Sequence, residues 1–504
     1  MILFRLILIL FRLISFSDCE IFLNTIEIPL IIMSEVVSHA KGNILGTENV
    51  QKLLTKFAVP SVIALLVGSL YNLVDQIFIG QSVGLLGNAA TNVAFPLTII
   101  AMGFALLFGV GGASNYNLYL GAGNKERAKK VVGNALFMLV FFGLLTLVII
   151  HMFIGQLVHL FGATDAVYPL AYEYISITSF GLLFLIFSTG ASSIIRADGS
   201  PKYSMYCLIT GAVLNIFLGA LFIFGFQMGI AGAAWAVVIS QFVSFTIAVF
   251  YFTRFKSVSL EKKDFIPQKY IILPILYLGA SSFLNQISMM FVQIVLNNSV
   301  TYYGSLSVYG SDTPLAVAGI VLKVSMIFIS VIIGIAQGGQ PIAGFNYGAK
   351  NYGRVKEVFK LVVRYALIIS FISFLCFQFF PRQIIGIFGG GDELYFEFAV
   401  RFCRIFLFMI IIVGIQPASS ILFTSIGKSL QGIFLAMTRQ ILLLLPLLLL
   451  LPMAFGIDGI FYAGPIADGF SAAVAFFLLY REMKKLTALE KKEKLKNEAL
   501  NTSS

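Results

Sequence analysis

Asp75 is the residue around which a chemical function can be argued from this sequence. It lies in PSVIALLVGSLYNLVDQIFIG, residues 60–80, an apolar run long enough to cross a bilayer. An Asp at the centre of a membrane costs about 2.5–3.5 kcal/mol on insertion scales, so proteins that keep one usually use it for protons, ions or a cationic ligand. Tyr71 precedes it by four residues and shares its helix face, with Asn72 on the same turn. The alternative is an acid satisfied by backbone groups near the membrane edge.

Two kinds of neutral polar residue accompany this acid. Asn215 can supply an oxygen to a cation held by Asp75, Na⁺ included, although a lone Asn in a span is also a common contact between helices. Gln286 and Gln293 lie seven residues apart on one helix face. They either line a substrate path or pack against other polar groups.

Three charges form a second set, later in the chain. Arg439 and Asp468 fall at similar depths in consecutive apolar runs, which predicts a buried ion pair with a structural or a coupling role. Lys323 is the remaining deep charge, able to repel or release a cation. We find no ligand spacing for a bound metal among the His and Cys residues, no Walker motif, and no pairing of nucleophile and base.

Composition places these residues in an all-α polytopic membrane protein. Of 504 residues, 59% are hydrophobic and 11% charged, against about 25% charged in soluble domains. Apolar windows recur almost from end to end. They predict twelve spans, at roughly 54–80, 86–118, 131–155, 166–192, 203–226, 229–253, 270–298, 314–342, 356–380, 394–418, 429–452 and 458–480.

The net charge of +11 follows the predicted topology. Lys and Arg cluster after spans two, six, eight and twelve, whereas the alternate loops are nearly free of them, with Arg382 the clear exception. The positive-inside rule therefore predicts that both termini are cytoplasmic. The basic residues are explained by topology, so we expect no nucleic-acid partner.

The chain contains an internal repeat. LYLGAGNKERAKK (118–130) aligns with FNYGAKNYGRVKE (345–357), and three other segment pairs match at the same separation of 227 residues, as from Gly121 to Gly348. Two homologous six-helix lobes follow, arranged as in many secondary transporters with alternating access. We assign residues 54–253 to the N-terminal lobe, 270–482 to the C-terminal lobe, 254–269 to a cytoplasmic linker and 483–504 to a basic cytoplasmic tail.

The first 53 residues fall outside both lobes. Residues 1–32 are apolar but interrupted by five charges, which predicts a mis-assigned start or an interfacial segment. Residues 33–53 form a cytoplasmic lead-in. Within the spans, Pro60 is one of several prolines that free a carbonyl and permit a helix to bend.

Four motifs are informative together: QGGQPIAGFNYGAKNYGRVKE (337–357), the first-span pattern with Pro60, Tyr71, Asn72 and Asp75, Arg439-Gln440 followed by Pro446, and PIAD ending at Asp468. In these motifs the chain resembles the multidrug and toxic compound extrusion (MATE) family, in its MepA-like or DinF-like branch. The resemblance implies a twelve-helix antiporter in a bacterial or archaeal cytoplasmic membrane. It would export cationic or lipophilic organic compounds, including drugs, in exchange for H⁺ or Na⁺.

The resemblance also assigns roles to single residues. It implies that Asp75 couples to the ion, with Tyr71 and Asn215 in its network, and that Pro60 bends the first helix. Many relatives have an Asp four residues after that Asn, where this chain has Gly219. The missing acid favours H⁺ over Na⁺.

Three other functions compete with export. A flippase for lipid-linked saccharides would use the same fold but needs a cationic cavity for pyrophosphate, with Lys323 and Arg439 facing it. A channel or scaffold is disfavoured by the repeat and the buried charges, and an enzyme by the missing catalytic constellation. We expect no cofactor besides the coupling ion, no use of ATP, a lipid bilayer around the protein, and a monomer by default.

Overall fold

The computed structural model describes residues 43–310, 312–386 and 393–502, and this part of the chain is almost entirely helical. Eleven helices are long and apolar enough to span a membrane, and a bent pair supplies a twelfth span. This confirms the predicted all-α membrane fold. The spans are α1 Val50–Ser82, α2 Leu85–Gly121, α3 Lys125–Leu160, α4 Tyr168–Ala197, α5 Pro201–Gly225, α6 Gly229–Phe252, α7 Lys269–Ser305, α8 Asp312–Gly348, α9 Tyr352–Phe379, α10 Glu393–Phe406 with Ile410–Ser425, α11 Ser429–Phe455 and α12 Ile457–Thr502.

Two of the spans in the C-terminal lobe are irregular. The two parts of α10 meet at an angle of 44°. In α11 a π-helical segment, Thr438–Leu444, interrupts the α-helix just before Pro446. A proline cannot donate a backbone hydrogen bond to the preceding turn, and π segments frequently occur at functional sites.

The first described residues, 43–49, and the links after the even-numbered spans lie together on one side, which we call the terminal face. Arg354, at the start of α9, donates to the carbonyl oxygens of Leu45 and Glu48 at 3.1 and 2.7 Å. Lys428, in the α10–α11 link, forms a salt bridge with Glu482 of α12. The links after the odd-numbered spans lie on the opposite face. Residues 1–42, which include the predicted segment 1–32 and the first ten residues of the lead-in, lie outside the described residues.

The predicted tail continues the last helix. α12 runs without a break to Thr502, and its extension is joined to α9 by a salt bridge between Glu490 and Lys356. The boundary predicted at 482 is therefore not a change in local structure, because the Lys- and Glu-rich sequence continues a helix begun in the last span.

Buried apolar residues form two cores that do not coincide with the two lobes. The larger core joins the N-terminal lobe to the part of the C-terminal lobe nearest the terminal face, including Ile332, Phe345 and Phe423. The smaller core lies wholly within the C-terminal lobe, towards the opposite face, and includes Phe402 and Phe461. The lobes are thus joined by apolar packing on the terminal side.

The repeat meets itself across the lobe boundary. A Cβ atom added to Gly121 would lie 2.0 Å from the carbonyl oxygen of Phe345, and one added to Gly348 would lie 2.2 Å from that of Leu118. Each pair is the other shifted by the repeat length, as expected for lobes related by an approximate two-fold axis. Only glycine allows backbones to approach so closely.

The turns that follow these glycines share a left-handed residue at the same repeat position. Gly123 has φ of 78° and Lys350 has φ of 59°. Glycine adopts this conformation without a steric cost, whereas a residue with a Cβ atom does not. The N-terminal turn is therefore the less strained of the two.

Candidate functional site

One face of α1 packs against α8 of the other lobe. A Cβ atom on Gly338 would lie 2.6 Å from the Cα atom of Ala58. Further along, Ser69 Oγ lies 3.2 Å from Ser330 Oγ, and Lys323 Nζ donates to Gln76 Oε1 at 2.7 Å. The residue numbers rise on α1 as they fall on α8, so the two helices are antiparallel. This face holds the lobes together.

The other face of α1 is turned into the N-terminal lobe. Tyr71 and Asp75 lie on it one turn apart, within electrostatic range of Tyr174 on α4. Phe78 follows on the same face, with its ring centroid 5.5 Å from that of Phe224 in α5. The first helix therefore carries the candidate coupling acid on one side and a lobe-to-lobe contact on the other.

Asp75 is the acid of this face, and one of its oxygens has no partner among the described residues. Its Oδ1 atom is buried and makes no hydrogen bond within the described residues, and it forms no salt bridge with a described cation. A buried carboxylate without a partner is costly, whereas a proton or a bound cation removes that cost. The site is thus suited to a mobile positive ion.

Asn215 lies at about the level of Asp75. It is buried, with 4% of its surface exposed, on α5, which packs against α1. A Cβ atom on Gly219 would lie 3.6 Å from the Phe78 ring, so this face of α5 is turned to α1. Because the two helices run in the same direction, Asn215, one turn before Gly219, reaches the level of Asp75. The side chain of Asn72 lies outside the described part of the structure.

Pro60 lies inside a single continuous helix. α1 is assigned from Val50 to Ser82 without a break, and Ser61 Oγ donates to the Phe57 carbonyl oxygen at 2.9 Å. The bending role of Pro60 therefore stays a prediction for another conformation.

Arg439 and Asp468 form the predicted buried ion pair. Arg439 Nε donates to Asp468 Oδ1 at 2.5 Å, from the π-helical segment of α11 to α12. The Asp468 side chain is 2% exposed. This acid carries a resident counter-ion, whereas Asp75 has none among the described residues.

The two predicted glutamines of α7 do not act as a pair. Gln293 donates to Asn297 on its own helix at 2.9 Å. Gln286 is half-buried and lies beside Gly103 of α2, at the lobe boundary. Of the two, Gln286 is the one placed between the lobes.

Two residues of the N-terminal lobe could not be singled out from the sequence: Tyr174, near Asp75, and Asp198, which holds the linker. Tyr174 belongs to a run of aromatic and polar residues, AYEYISITSF, in which nothing distinguishes it. Asp198 accepts hydrogen bonds from the hydroxyls of Tyr116 and Tyr251 and from the backbone of residues 256 and 257. It fastens the interlobe linker to the N-terminal lobe, and its position before a glycine at a helix end was its only signal.

In the part of the chain that the structure describes, eleven long apolar helices and one bent pair form two sequence-related lobes, and one lobe holds an acid whose Oδ1 has no partner there. This is the architecture of a two-lobe membrane transporter. The family model described as MatE matches residues 60–221 and 281–450. The chain belongs to this family, and it is a transporter and not an enzyme.

Individual relatives agree over most of the chain. The multidrug export protein MepA of Staphylococcus aureus (strain N315) is 26% identical over 437 residues, 86% of this chain and 95% of that protein. A solved outward-facing multidrug resistance MATE family transporter of the MOP superfamily has a TM-score of 0.81 at 24% identity, over 87% of this chain and 99% of that one. A MOP superfamily transporter from Pyrococcus furiosus has a TM-score of 0.82 at 23% identity, covering 88% and 98%. The last two are similar in fold.

Proposed function

We propose that this protein is a multidrug efflux antiporter that exports cationic or lipophilic organic compounds in exchange for an inward flow of H⁺. The observation that carries the proposal is the buried Oδ1 atom of Asp75, which has no hydrogen-bond partner among the described residues. Similarity to MepA, a multidrug export protein, supports the substrate class. Protein in a bacterial or archaeal cytoplasmic membrane, with the terminal face inside, would expel these compounds from the cell.

The coupling step requires only residues of this chain and one ion. Protonated Asp75 is neutral and is compatible with its buried position, whereas the ionised group attracts a cationic compound or another cation. Loss of the proton places a negative charge on the face of α1 that packs against α5, within electrostatic range of Tyr174 on α4. The same helix contacts α8 through Ser69 and Gln76, so α1 supplies a route from ion binding to the lobe boundary.

H⁺ is favoured over Na⁺ because this site offers few ligands. Na⁺ needs several oxygen ligands, and Gly219 stands where a second carboxylate would face α1. Asp75 and Asn215 supply one carboxylate and one amide. Among the described residues no cluster of three or more His, Cys, Asp or Glu side chains that could hold a metal ion occurs.

The contacts on the terminal side support alternating access. Glycines of α2, α7 and α8 touch backbone atoms of the other lobe there, as Gly279 touches Leu107 and Gly338 touches Ala58. This packing closes the terminal side, so the substrate cleft would open to the opposite face. Separation of these contacts would open the cleft to the cytoplasm.

The flippase alternative is weakened by the pairing of Arg439. A cavity for pyrophosphate needs several free cations, and Asp468 neutralises one of the two that the sequence offered. Lys323 alone provides a single positive charge.

Transport by purified protein in vesicles tests the proposal. Three proteins are compared: the wild type, Asp75→Asn, and the control Asp165→Asn, which removes an exposed acid in a loop. Vesicles that contain each protein are loaded with ethidium, and dye transport is measured under a proton gradient or a sodium gradient. We expect the wild type and the control to move dye under the proton gradient, and Asp75→Asn to match empty vesicles.

Three results would contradict it. Equal dye transport by Asp75→Asn would remove Asp75 from the mechanism. Transport under the sodium gradient alone would overturn the assignment of H⁺. Failure of the wild type to move any cationic dye under either gradient would overturn the export function.

A further inference from the structure

A groove of about 690 Å³ lies between α9 and α12, on the outside of the C-terminal lobe. Its apolar lining is formed by Phe359, Val363, Leu367, Ile368 and Phe371 of α9 with Leu479 and Met483 of α12. Ile368 and Phe371 are 45% and 50% exposed. At membrane depth such a surface contacts hydrocarbon, and a concave surface holds an acyl chain better than a flat one.

Two cations lie along the same groove. Lys360 and Arg364 line it, one helical turn apart on α9, and both side chains are exposed. Neither forms a salt bridge with a described residue, and two nearby acids are engaged elsewhere, Glu482 with Lys428 and Glu490 with Lys356. Glu357, one turn before Lys360, is not within salt-bridge distance of it.

The order of these residues along α9 matches the layers of a membrane. α9 begins at the terminal face, so Lys360 and Arg364 lie nearer that face than Leu367 and Phe371 do. At the corresponding level of α12, Arg481 lies over the Phe477 ring and Lys484 over the Tyr480 ring, which is typical of the membrane interface. The cations thus lie at the depth of phosphate groups, and the part of the apolar lining that follows them on α9, from Leu367 to Phe371, lies at the depth of acyl chains.

We propose that this groove is a binding site for one anionic phospholipid. The lipid phosphate is held by Lys360 and Arg364, whose guanidinium group can form two parallel hydrogen bonds to phosphate oxygens. One acyl chain lies between α9 and α12, against Leu367 and Leu479. The site depends on the membrane location of the protein and not on the proposed transport function.

Native mass spectrometry of the full-length protein in detergent, titrated with phosphatidylglycerol or phosphatidylcholine, tests the proposal. The wild type should bind the first phosphatidylglycerol more tightly than phosphatidylcholine. The double variant Lys360→Gln/Arg364→Gln should weaken phosphatidylglycerol binding by about 30-fold, since a basic residue near a membrane surface contributes about fivefold. The control Lys491→Gln/Lys492→Gln, which removes two exposed charges from the extension of α12, should bind as the wild type does.

A second variant tests the apolar part of the groove. Val363→Trp leaves both cations in place and fills the groove with an indole, so it should weaken the binding of both lipids, and thermal unfolding checks that the variant is folded. Equal phosphatidylglycerol binding by the wild type and the double glutamine variant would overturn the site. Equal affinity of the wild type for the two lipids would also overturn the site. It would mean that Lys360 and Arg364 extend to the polar layer of the membrane without selecting an anionic lipid.

Discussion

The two lobes share a fold but differ in how each treats its buried acid. In the C-terminal lobe Asp468 is paired with Arg439, whereas in the N-terminal lobe Asp75 Oδ1 has no hydrogen-bond partner among the described residues. The repeat places Ala212 and Gln241 at the positions of the C-terminal pair. Spans one and seven align at a separation of 214 residues, because residues 302–314 lengthen the link after span seven, and this places Met289 at the position of Asp75. Duplication kept the helices and not the charges. Arg439 is the counter-ion of the C-terminal acid, and our proposal gives the N-terminal acid a mobile cation instead.

Removing each acid in turn should give the largest difference between the lobes. Asp468→Asn leaves Arg439 buried without its partner, so we expect the free energy of unfolding to fall by about 3–5 kcal/mol. Asp75→Asn removes a charge that has no partner and should leave stability unchanged or higher. Thermal unfolding in detergent measures both. Equal losses of stability in the two variants would mean that Asp75 also has a structural partner.

Gly219→Asp should change the ion that drives transport. A side chain there faces α1, with its Cβ atom 3.6 Å from the Phe78 ring, an ordinary contact. The added carboxylate supplies the second acidic ligand that a Na⁺ site needs, so dye transport should respond to a sodium gradient. Gly219→Asn, of nearly the same shape but uncharged, is the control. A sodium response in both variants, or in neither, would show that the charge at position 219 does not determine which ion drives transport.

Lys323→Gln should have a smaller effect, on the balance between conformations. It replaces the charged hydrogen bond from α8 to Gln76 by a neutral one, and charged hydrogen bonds are the stronger kind. We expect a several-fold shift towards conformations with the lobes further apart on the opposite face, seen as longer distances between spin labels on α1 and α8. Lys269→Gln, at the terminal end of α7, is the control. Unchanged distances would show that the contact does not hold the lobes.

Lys350→Gly should give the smallest change. Lys350 adopts the left-handed conformation that Gly123 adopts in the first lobe, which costs a residue with a Cβ atom about 1–2 kcal/mol. The substitution should raise the free energy of unfolding by about 1 kcal/mol, after the entropy lost by glycine. Gly123→Ala should lower it. Thermal unfolding of both variants measures the difference in strain between the two turns. A Lys350→Gly variant less stable than the wild type would contradict the prediction.

The sequence predicted the architecture well because long apolar runs and their separators have few structural alternatives. Twelve spans and the repeat followed from hydropathy and from matches such as Gly121 with Gly348, and the pairing of Arg439 with Asp468 followed from similar depth. The neighbours of Asp75 were harder to predict. Residue spacing places Tyr71 on the same face of α1 as Asp75, but it does not say which other helix lies beside that face. Tyr174 and the buried anchor Asp198 depend on packing between distant segments. The roles of Asp75, Asn215 and Pro60 remain predictions.

The boundary between the duplicated halves and the gap between the two apolar cores do not coincide. The duplication boundary lies at the linker 254–269, yet the larger apolar core crosses it, and the gap between cores falls inside the C-terminal lobe. An isolated N-terminal half would therefore expose the apolar surface that packs against the C-terminal lobe in the whole protein. It should associate through that surface with a second copy of itself. Rates of amide hydrogen exchange should accordingly differ most between the two ends of the C-terminal helices, on either side of the gap between the cores. They should differ less between the N-terminal lobe and the terminal-side ends of those helices.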